Sequence, residues 1–504
     1  MRNINEVLAL TDTEQKIYYL KQARRTPNPD AVKLYNDWNP DKHEIITDEE
    51  KYPKIKVTLK PEQKYTDPTT GKEHIEPEQK KLVDPNRIAL PIEQDIVNIQ
   101  TAFTVGTDPI LDCKPDSSEE SLLASLNQVF KKNKLRYQNK QAVRSWLAEQ
   151  EVAEYWYVVP DDGFWAKLKR KVSEVFGNTK PEYRLKSVLW SPFRGDKLYP
   201  YFDDNGNLVA LSREYKKRDL DDTEVDCFMC ITADMVYQWE NTNGWVETGS
   251  FRHNFGKLPI IYMYRPKAYC EKIKTLRIRL EKLLSSYADC IDYHFFPILM
   301  LYGDVEQLSG ELKNRIVQLT GTSANAQYLT WNQVPETVKF EVETLLSQIY
   351  GLTNTPRISF DSLKGTGNAV SGVAFDYVFM STHLNVENLN ETVGMFMQRR
   401  VNFLISALGT INTSLEAASE TLDVDVKMQP YRLENIADKI DTAIKAKDGQ
   451  IWSQEHAIMF VGNIDSVKDE IDKIRQEQQE KQDADIDKQK QLQEINKANQ
   501  GNVK

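Results

Sequence analysis

GLTNTPRISFDSLKGTGNAVSGVAF, residues 351–375, decides how the rest of the chain is read. Its first part, Gly351 to Val370, is polar and is framed by Gly351, Gly365 and Gly367. Such residues lack the apolar density to pack firmly, and glycine admits backbone that other residues resist. The stretch therefore reads as a loop and as the natural moving part. Ser371 then has the chemistry of a helix cap, with Gly372 tolerated in the first turn. The pattern predicts a long helix from Ser371 to about Leu408, roughly 55 Å at 1.5 Å per residue. Its polar middle (Ser381, Thr382, His383, Asn385, Asn388, Asn390) marks a candidate kink.

Working outward, Thr337 to Tyr350 reads as a helix with Val338, Val342, Leu345, Leu346 and Ile349 on one face. Before it, residues 303–335 carry only short elements, and ILMLYG (298–303) reads as a strand. Ile273, Leu276, Leu280, Leu283, Tyr287 and Cys290 alternate by three and four, a seam that another helix should cover. From Val152 to Tyr264 the texture is that of strands: YWYVV, YRLKSVLW, LVALSREY, VDCFMCIT, MVYQWE and LPIIYMY are rich in aromatic and β-branched residues. Asp203-Asp-Asn-Gly206 and Asn241-Thr-Asn-Gly244 read as hairpin turns between them. Upstream, Ile92, Ile96, Ile99 and Phe103 predict a helix that Gly106 stops. Ser117–Ser118 with Glu120–Ser121 opens another in the style of an N-cap. Residues 1–90 are polar and proline-punctuated, with a helical start from Ile4 to Ala23 and one strand or hairpin around IKVTL (55–59). After the long helix come a strand, VDVKMQP (424–430), and further helices. The last 20 or so residues, rich in Gln, Lys and Asp, read as frayed or disordered.

The chain has 504 residues and a net charge of −10. Hydrophobic residues are 40% and aromatics 10%, enough for a folded core and against wholesale disorder. No uncharged apolar window is long enough for a membrane span, and MRNINEVLALTDTEQK does not read as a secretory signal. Five cysteines, an odd number, argue against a disulfide scaffold and for a reducing compartment. The acidic balance excludes a generic polycation that coats nucleic acid. It remains compatible with a protein that lets DNA slide past without sticking.

Chemistry-bearing constellations are few. Cys227-Phe-Met-Cys230 is the one paired cysteine spacing. It lies in a strand run, where the two thiols point to opposite faces, and this favours buried structural thiols over a zinc half-site or a redox pair. Thr70-Gly71-Lys72 lacks the rest of a phosphate loop and reads as a turn. Gly365-Thr-Gly-Asn368 lacks the following glycine of a dinucleotide cradle. The six histidines are scattered, so spacing supports neither a metal nor an acid–base site. On chemistry alone this is not an enzyme, and no cofactor is expected. Lys267, Lys272, Lys274, Arg277, Arg279 and Lys282 form one basic cluster, for which a solvated or inter-subunit salt-bridging face is the default and a nucleic-acid contact the alternative.

Several passages then follow one another in a telling order. QTAFTVGTDPIL (100–111) joins a helix to its glycine stop. HNFGKLPIIYMYRP (253–266) closes the β region. LEKLLSSYADCIDY (280–293) leads into PILMLYGD (297–304). NTPRISFD (354–361) precedes AVSGVAF (369–375), and QPY (429–431), GQIWSQE (449–455) and VKDEIDKIR (467–475) close the series. In this order, from Gly106 onward, the chain resembles the portal proteins of tailed phages, the siphovirus-type ring connectors at the capsid vertex. It departs from their pattern at Trp452 and His456 and in its first 90 residues.

The resemblance implies an α+β portal fold assembled as a ring. Residues 1–266 would be a mixed β/helical wing, 267–296 a stem helix, 297–336 a small α/β clip and 337–352 a second stem helix. Residues 353–370 would be the tunnel loop, 371–430 the long kinked helix with a returning wing strand, and 431–504 a helical crown with a disordered tail. It implies a DNA channel whose tunnel loop presents Lys364, Thr366, Asn368 and Arg357. The implied partners are further copies of the chain, about twelve in a closed ring, together with double-stranded DNA, the terminase large subunit, a head-completion or tail adaptor protein, and the major capsid and scaffold proteins. No membrane is involved. The expected location is the virion's portal vertex, with assembly in the host cytoplasm. Another virion structural or adaptor protein without a channel is the rival reading.

Overall fold

The computed structural model describes residues 3–501, except 61–62, 67–68, 70, 72, 161–182, 219–220, 295–297, 309–316, 330–334, 358–378, 432–435 and 463–466. Two units separate: residues 1–357 with 381–431, and residues 358–380 with 432–504.

The first unit opens with α1 (Ile4–Leu8) and α2 (Thr13–Gln22). The expected single helix is divided because Asp12 accepts the Glu14 and Gln15 N–H groups and so starts a new helix. α3 (Ala31–Trp38) is capped likewise by Asp30, and α4 (Glu44–Thr47) follows. A two-stranded ribbon comes next. β1 (Ile55–Lys60) and β4 (Gln79–Val83) pair antiparallel with Ile55 opposite Val83, while β2 (Gln63–Thr66) pairs with β3 (Glu73–Glu76). α5 (Ile92–Val105) buries Ile92, Ile96, Val97 and Phe103. Gly106 ends it for reasons of space: an added Cβ would lie 2.1 Å from the Ala102 carbonyl oxygen and 3.3 Å from the Tyr431 Cβ.

β5 (Ile110–Asp112) leads to α6 (Glu120–Asn133) and α7 (Leu135–Glu149). The serines at 117–118 do not cap α6; Glu119 does the local work, accepting the Asp116 N–H. The β region contains two antiparallel sheets. β6 (Glu151–Pro160), β7 (Tyr183–Trp190) and β13 (Ile260–Tyr264) form one, in the order β13-β6-β7. β8 (Lys197–Phe202), β9 (Leu208–Arg218), β10 (Glu224–Ile231), β11 (Met235–Asn241) and β12 (Trp245–Arg252) form the other, a meander. The two predicted turns sit between β8 and β9 and between β11 and β12, with Gly206 and Gly244 at positive φ. α1 and α2 cover one face of the meander, packing Val7, Ile17 and Leu20 on Tyr199, Phe228 and Trp239.

Then come α8 (Lys274–His294), β14 (Ile298–Leu308), β15 (Val317–Leu329), α9 (Pro335–Leu352), α10 (Met380–Ile411), α11 (Glu416–Thr421) and β16 (Asp425–Lys427). β16 returns to pair with β5, Val426 opposite Leu111. Between α8 and α9, β14 and β15 pair antiparallel with Ile298 opposite Leu329, two long strands where only short elements were expected; residues 309–316 and 330–334 of the expected clip lie outside the described residues. The second strand escaped notice because QLTGTSANAQYL lacks the apolar alternation that betrays one. The predicted seam is real: Ile273, Leu280 and Ile349 are fully buried, with Leu276, Leu283 and Val342 packed beside them. α10 is continuous through its polar segment, 381–390.

The second unit holds α12 (Ile436–Asp448), α13 (Gln454–Val461) and α14 (Val467–Gly501). Ser453 caps α13, and the Trp452 ring packs on His456 and Phe460. The last residues are helical as far as Gly501, which corrects the disordered tail. Gln, Lys, Glu and Ala all favour helix, and polarity alone does not oppose it.

The main core joins α5, α7, β6, α8, α9 and α10. At its centre the guanidinium of Arg400 (α10) donates to both carboxylate oxygens of Glu154 (β6), 2.8 Å at Nε, and to Asn139 Oδ1 (α7). Both charges are almost wholly buried. Removing one partner strands the other without water. Arg400→Ala should therefore lower stability by about 3–5 kcal/mol in chemical denaturation. The paired change Arg400→Met with Glu154→Met should recover most of that loss.

Candidate functional site

One residue of α5 holds both the segment that follows α9 and the start of α10. Gln100 is fully buried, beside Ile96, Val97, Phe103 and Thr104 on the inner side of α5. Its Nε2 lies 3.1 Å from the Thr353 carbonyl oxygen, 3.1 Å from that of Asn354 and 2.9 Å from Thr355 Oγ1. Its Oε1 accepts from Asn385 Nδ2 of α10 at 2.9 Å. The same Asn385 amide donates to the Tyr269 hydroxyl, which in turn donates to the Thr353 carbonyl. Thr382 Oγ1 donates to the Asn354 carbonyl at 2.8 Å. The chain thus leaves at Thr355 and comes back at Thr382 to a single hydrogen-bonded clamp. Burial pushes the Tyr269 phenol upward, so it stays a neutral donor. The clamp groups are amides, hydroxyls and carbonyls bonded to one another, an arrangement that holds chain and offers no nucleophile or proton relay.

Of the predicted loop residues, Lys364, Thr366 and Asn368 lie outside the described residues. Arg357 is described: it pairs with Glu343 of α9 at 2.8 Å, both about half exposed. The polar segment 381–390 that suggested a kink supplies the clamp instead. Its Thr382 is buried. Gln100 went unread, although a lone amide at helical spacing among Ile92, Ile96 and Phe103 is the signal that could have found it.

A second polar construction roots the β1–β4 ribbon. Along one face of α8, Glu281, Ser285 and Asp289 accept the backbone N–H groups of Leu90, Ile88 and Asn86. Two residues of extended chain advance roughly 6.6 Å and four residues of helix roughly 6 Å, so the two periods keep step. Arg87 donates to the Ile46 and Tyr52 carbonyls, closing the other side.

Three residues of the basic cluster, Lys274, Arg277 and Arg279, form ion pairs within the chain. Arg277 is buried and lies 2.6 Å from Glu93, 3.2 Å from Glu281 and 3.3 Å from Asp37, which also takes Lys274 at 2.8 Å. Arg279 pairs with Glu341 of α9 at 2.7 Å. His43 joins this network, its Nδ1 2.6 Å from Glu281 Oε1 and its Nε2 3.1 Å from the Asp37 carbonyl. A carbonyl only accepts, so Nε2 is the donor in the bond to Asp37. Burial, opposed by Arg277, pushes the Glu93 carboxyl up to about 7.

The thiol chemistry considered for Cys227 and Cys230 finds no support in their surroundings. Cys230 packs in the meander core beside Phe228 and Trp239, Cys227 faces the other way, and burial pushes both thiols up, Cys230 to about 12. A raised thiol is a poor nucleophile. Among the described residues no cluster of His, Cys, Asp and Glu is placed to hold a metal ion, and no helix is long and apolar enough to cross a membrane.

The chain is α+β, and its buried polar clamp ties α5, the end of α9 and the start of α10 together. The family described as "Phage portal protein, SPP1 Gp6-like" matches residues 32–484. The chain belongs to this phage portal protein family, a structural and non-enzymatic one. Among solved structures it is similar to a chain of the "Neck of empty GTA particle computed with C6 symmetry", at 12% identity and a TM-score of 0.41, covering 74% of this chain and 90% of that one. No curated protein sequence matches it.

Two outcomes are expected. Gln100→Ala leaves the Thr353 and Asn354 carbonyls and Asn385 short of partners, so it should cost about 1–3 kcal/mol in denaturation and raise hydrogen exchange at 353–355 and 382–385 first. Glu93 binds a proton in the fold at pH values where the unfolded chain has lost it. Its contribution is therefore complete below about 4.5 and fades as pH rises through about 7. Melting of Glu93→Gln against the parent should show the parent losing up to roughly 3 kcal/mol relative to the variant between pH 5 and 8.

Proposed function

We propose that this chain closes with about eleven further copies into a ring whose bore passes double-stranded DNA during packaging and ejection. The observation that carries the reading is the family match over residues 32–484. The clamp supports it physically. It fixes the chain on either side of the expected tunnel loop, at Thr353–Thr355 and at Thr382 and Asn385, to the core.

Each copy carries −10, so a ring carries roughly −120 before counterions. Duplex DNA carries about one negative charge per 1.7 Å of axis. Such a wall repels the duplex and resists tight capture, and screening over about 10 Å keeps that repulsion short-ranged. A few polar or basic loop groups then guide the DNA: Lys364, with Thr366, Asn368 and Arg357. The β14–β15 hairpin is the docking surface for the terminase motor and later the tail adaptor. α8 and α9 form the stem, and α12 to α14 face the capsid interior. The fuel-hydrolysing site belongs to the terminase.

Native mass measurement and negative-stain images of the purified full chain test this. The expected result is a closed ring with a hole wide enough for a duplex, and a strict monomer or a solid particle under every assembly condition overturns it. Lys364→Glu should assemble as the parent does and lower packaged DNA in a reconstituted reaction. Unchanged packaging removes this lysine from the mechanism.

A further inference from the structure

Between the end of β13 and the start of α8, the chain brings two cations to one aromatic ring. Arg265 is half-buried and Lys272 is exposed. The Arg265 guanidinium lies 5.2 Å and the Lys272 ammonium 4.7 Å from the centre of the Tyr269 ring, and Arg265 also lies 5.0 Å from that of Trp146. The Tyr269 ring is fixed in place, because it is buried and its hydroxyl belongs to the Gln100 clamp. Arg265 Nε donates to the Lys267 carbonyl at 2.7 Å, while its Nη1 is buried with no hydrogen-bond partner among the described residues.

No carboxylate among the described residues pairs with either cation. This sets them apart from Lys274, Arg277 and Arg279 a few residues on, each of which has an acid within the chain. Burial pushes the Arg265 guanidinium down to about 10, and burial followed by the nearby Arg265 charge pushes Lys272 down as well. The aromatic faces attract both cations but supply no negative charge. Two like charges therefore stand side by side, one of them at the surface, and an oxyanion is the group that relieves them. Duplex DNA suits the place badly: a fixed cation pair repeated in every copy would hold phosphate, and each such contact adds to the capture that a DNA channel must avoid. A second copy of the chain suits it well, for its 75 acidic residues outnumber its 65 basic ones, and a single side chain can reach the pair.

We propose that Arg265 and Lys272 together receive an Asp or Glu carboxylate from an adjacent copy, forming an ion pair across the interface between neighbours. The contact deepens the ring reading given above and rests on it. Because Tyr269 carries both cations and belongs to the clamp, the contact joins the neighbour to the same buried point that holds the end of α9 and the start of α10.

The test uses rings of the full chain assembled from equal parts of heavy-isotope-labelled and unlabelled protein. A water-soluble carbodiimide joins an amine to a carboxylate in direct contact, and mass spectrometry of the digest should find mixed-isotope peptides linking Lys272 to an Asp or Glu. The variants change the exposed Lys272, since Arg265 also packs on Trp146. With circular dichroism as the check on folding, Lys272→Glu should raise the concentration needed for half-assembly by about tenfold or more in native mass measurement at physiological salt. Lys272→Arg keeps the charge and removes the amine, so it should assemble like the parent and lose the cross-link. Rings in which Lys272 forms no link between copies overturn the contact, as does folded Lys272→Glu protein that assembles like the parent. Lys272→Glu rings that form normally and package less DNA also overturn it and assign the pair to phosphate. A parent chain that forms no ring fails the underlying function reading, separately from this contact.

Discussion

One buried amide ties α5, the end of α9 and the start of α10 together. Gln100 reaches the Thr353, Asn354 and Thr355 stretch with its nitrogen and Asn385 with its oxygen, so the end of α9 and the start of α10 are bound at one buried point. Buried amides are costly unless paired, and here both ends of the amide are paired. The core formed by α5, α9 and α10 is thereby tied together at Thr353–Thr355 and at Asn385.

The chain's electrostatics follow the same economy. Arg277, Lys274 and Arg279 look in sequence like an offer to nucleic acid, yet each is paired with an acid inside the chain. Arg400 and Arg24 are paired with Glu154 and Glu151 in the interior. Cations held this way fix the positions of α8, α10 and the N-terminal segment and add nothing to an attractive outer field. The remaining excess is acidic, which suits a wall past which a polyanion moves.

Periodicity made much of the fold legible. The α8–α9 seam, the strands of the meander, its two glycine turns and the stop at Gly106 all depend on neighbours a few residues away or on apolar spacing. Failures occurred where polar sequence hides order. Strand 317–329 is small and polar, the C-terminal helix is charged all round, and the kink suspected at 381–390 became half of a clamp. The basic cluster, expected as a solvated or inter-subunit face, instead holds Lys274, Arg277 and Arg279 in pairs within the chain; their partners Asp37, Glu93 and Glu341 lie far off in sequence and no spacing rule finds them.

Order of elements, the α+β class and the family were fixed by sequence, because local propensity and motif order survive without coordinates. Only the tertiary structure decided which polar groups meet: Gln100 with Asn385, His43 with Glu281, Arg400 with Glu154. Hydrogen bonds and ion pairs act over about 3 Å, and the residues making these are separated by between 238 and 285 positions of chain. Folding alone brings them within reach.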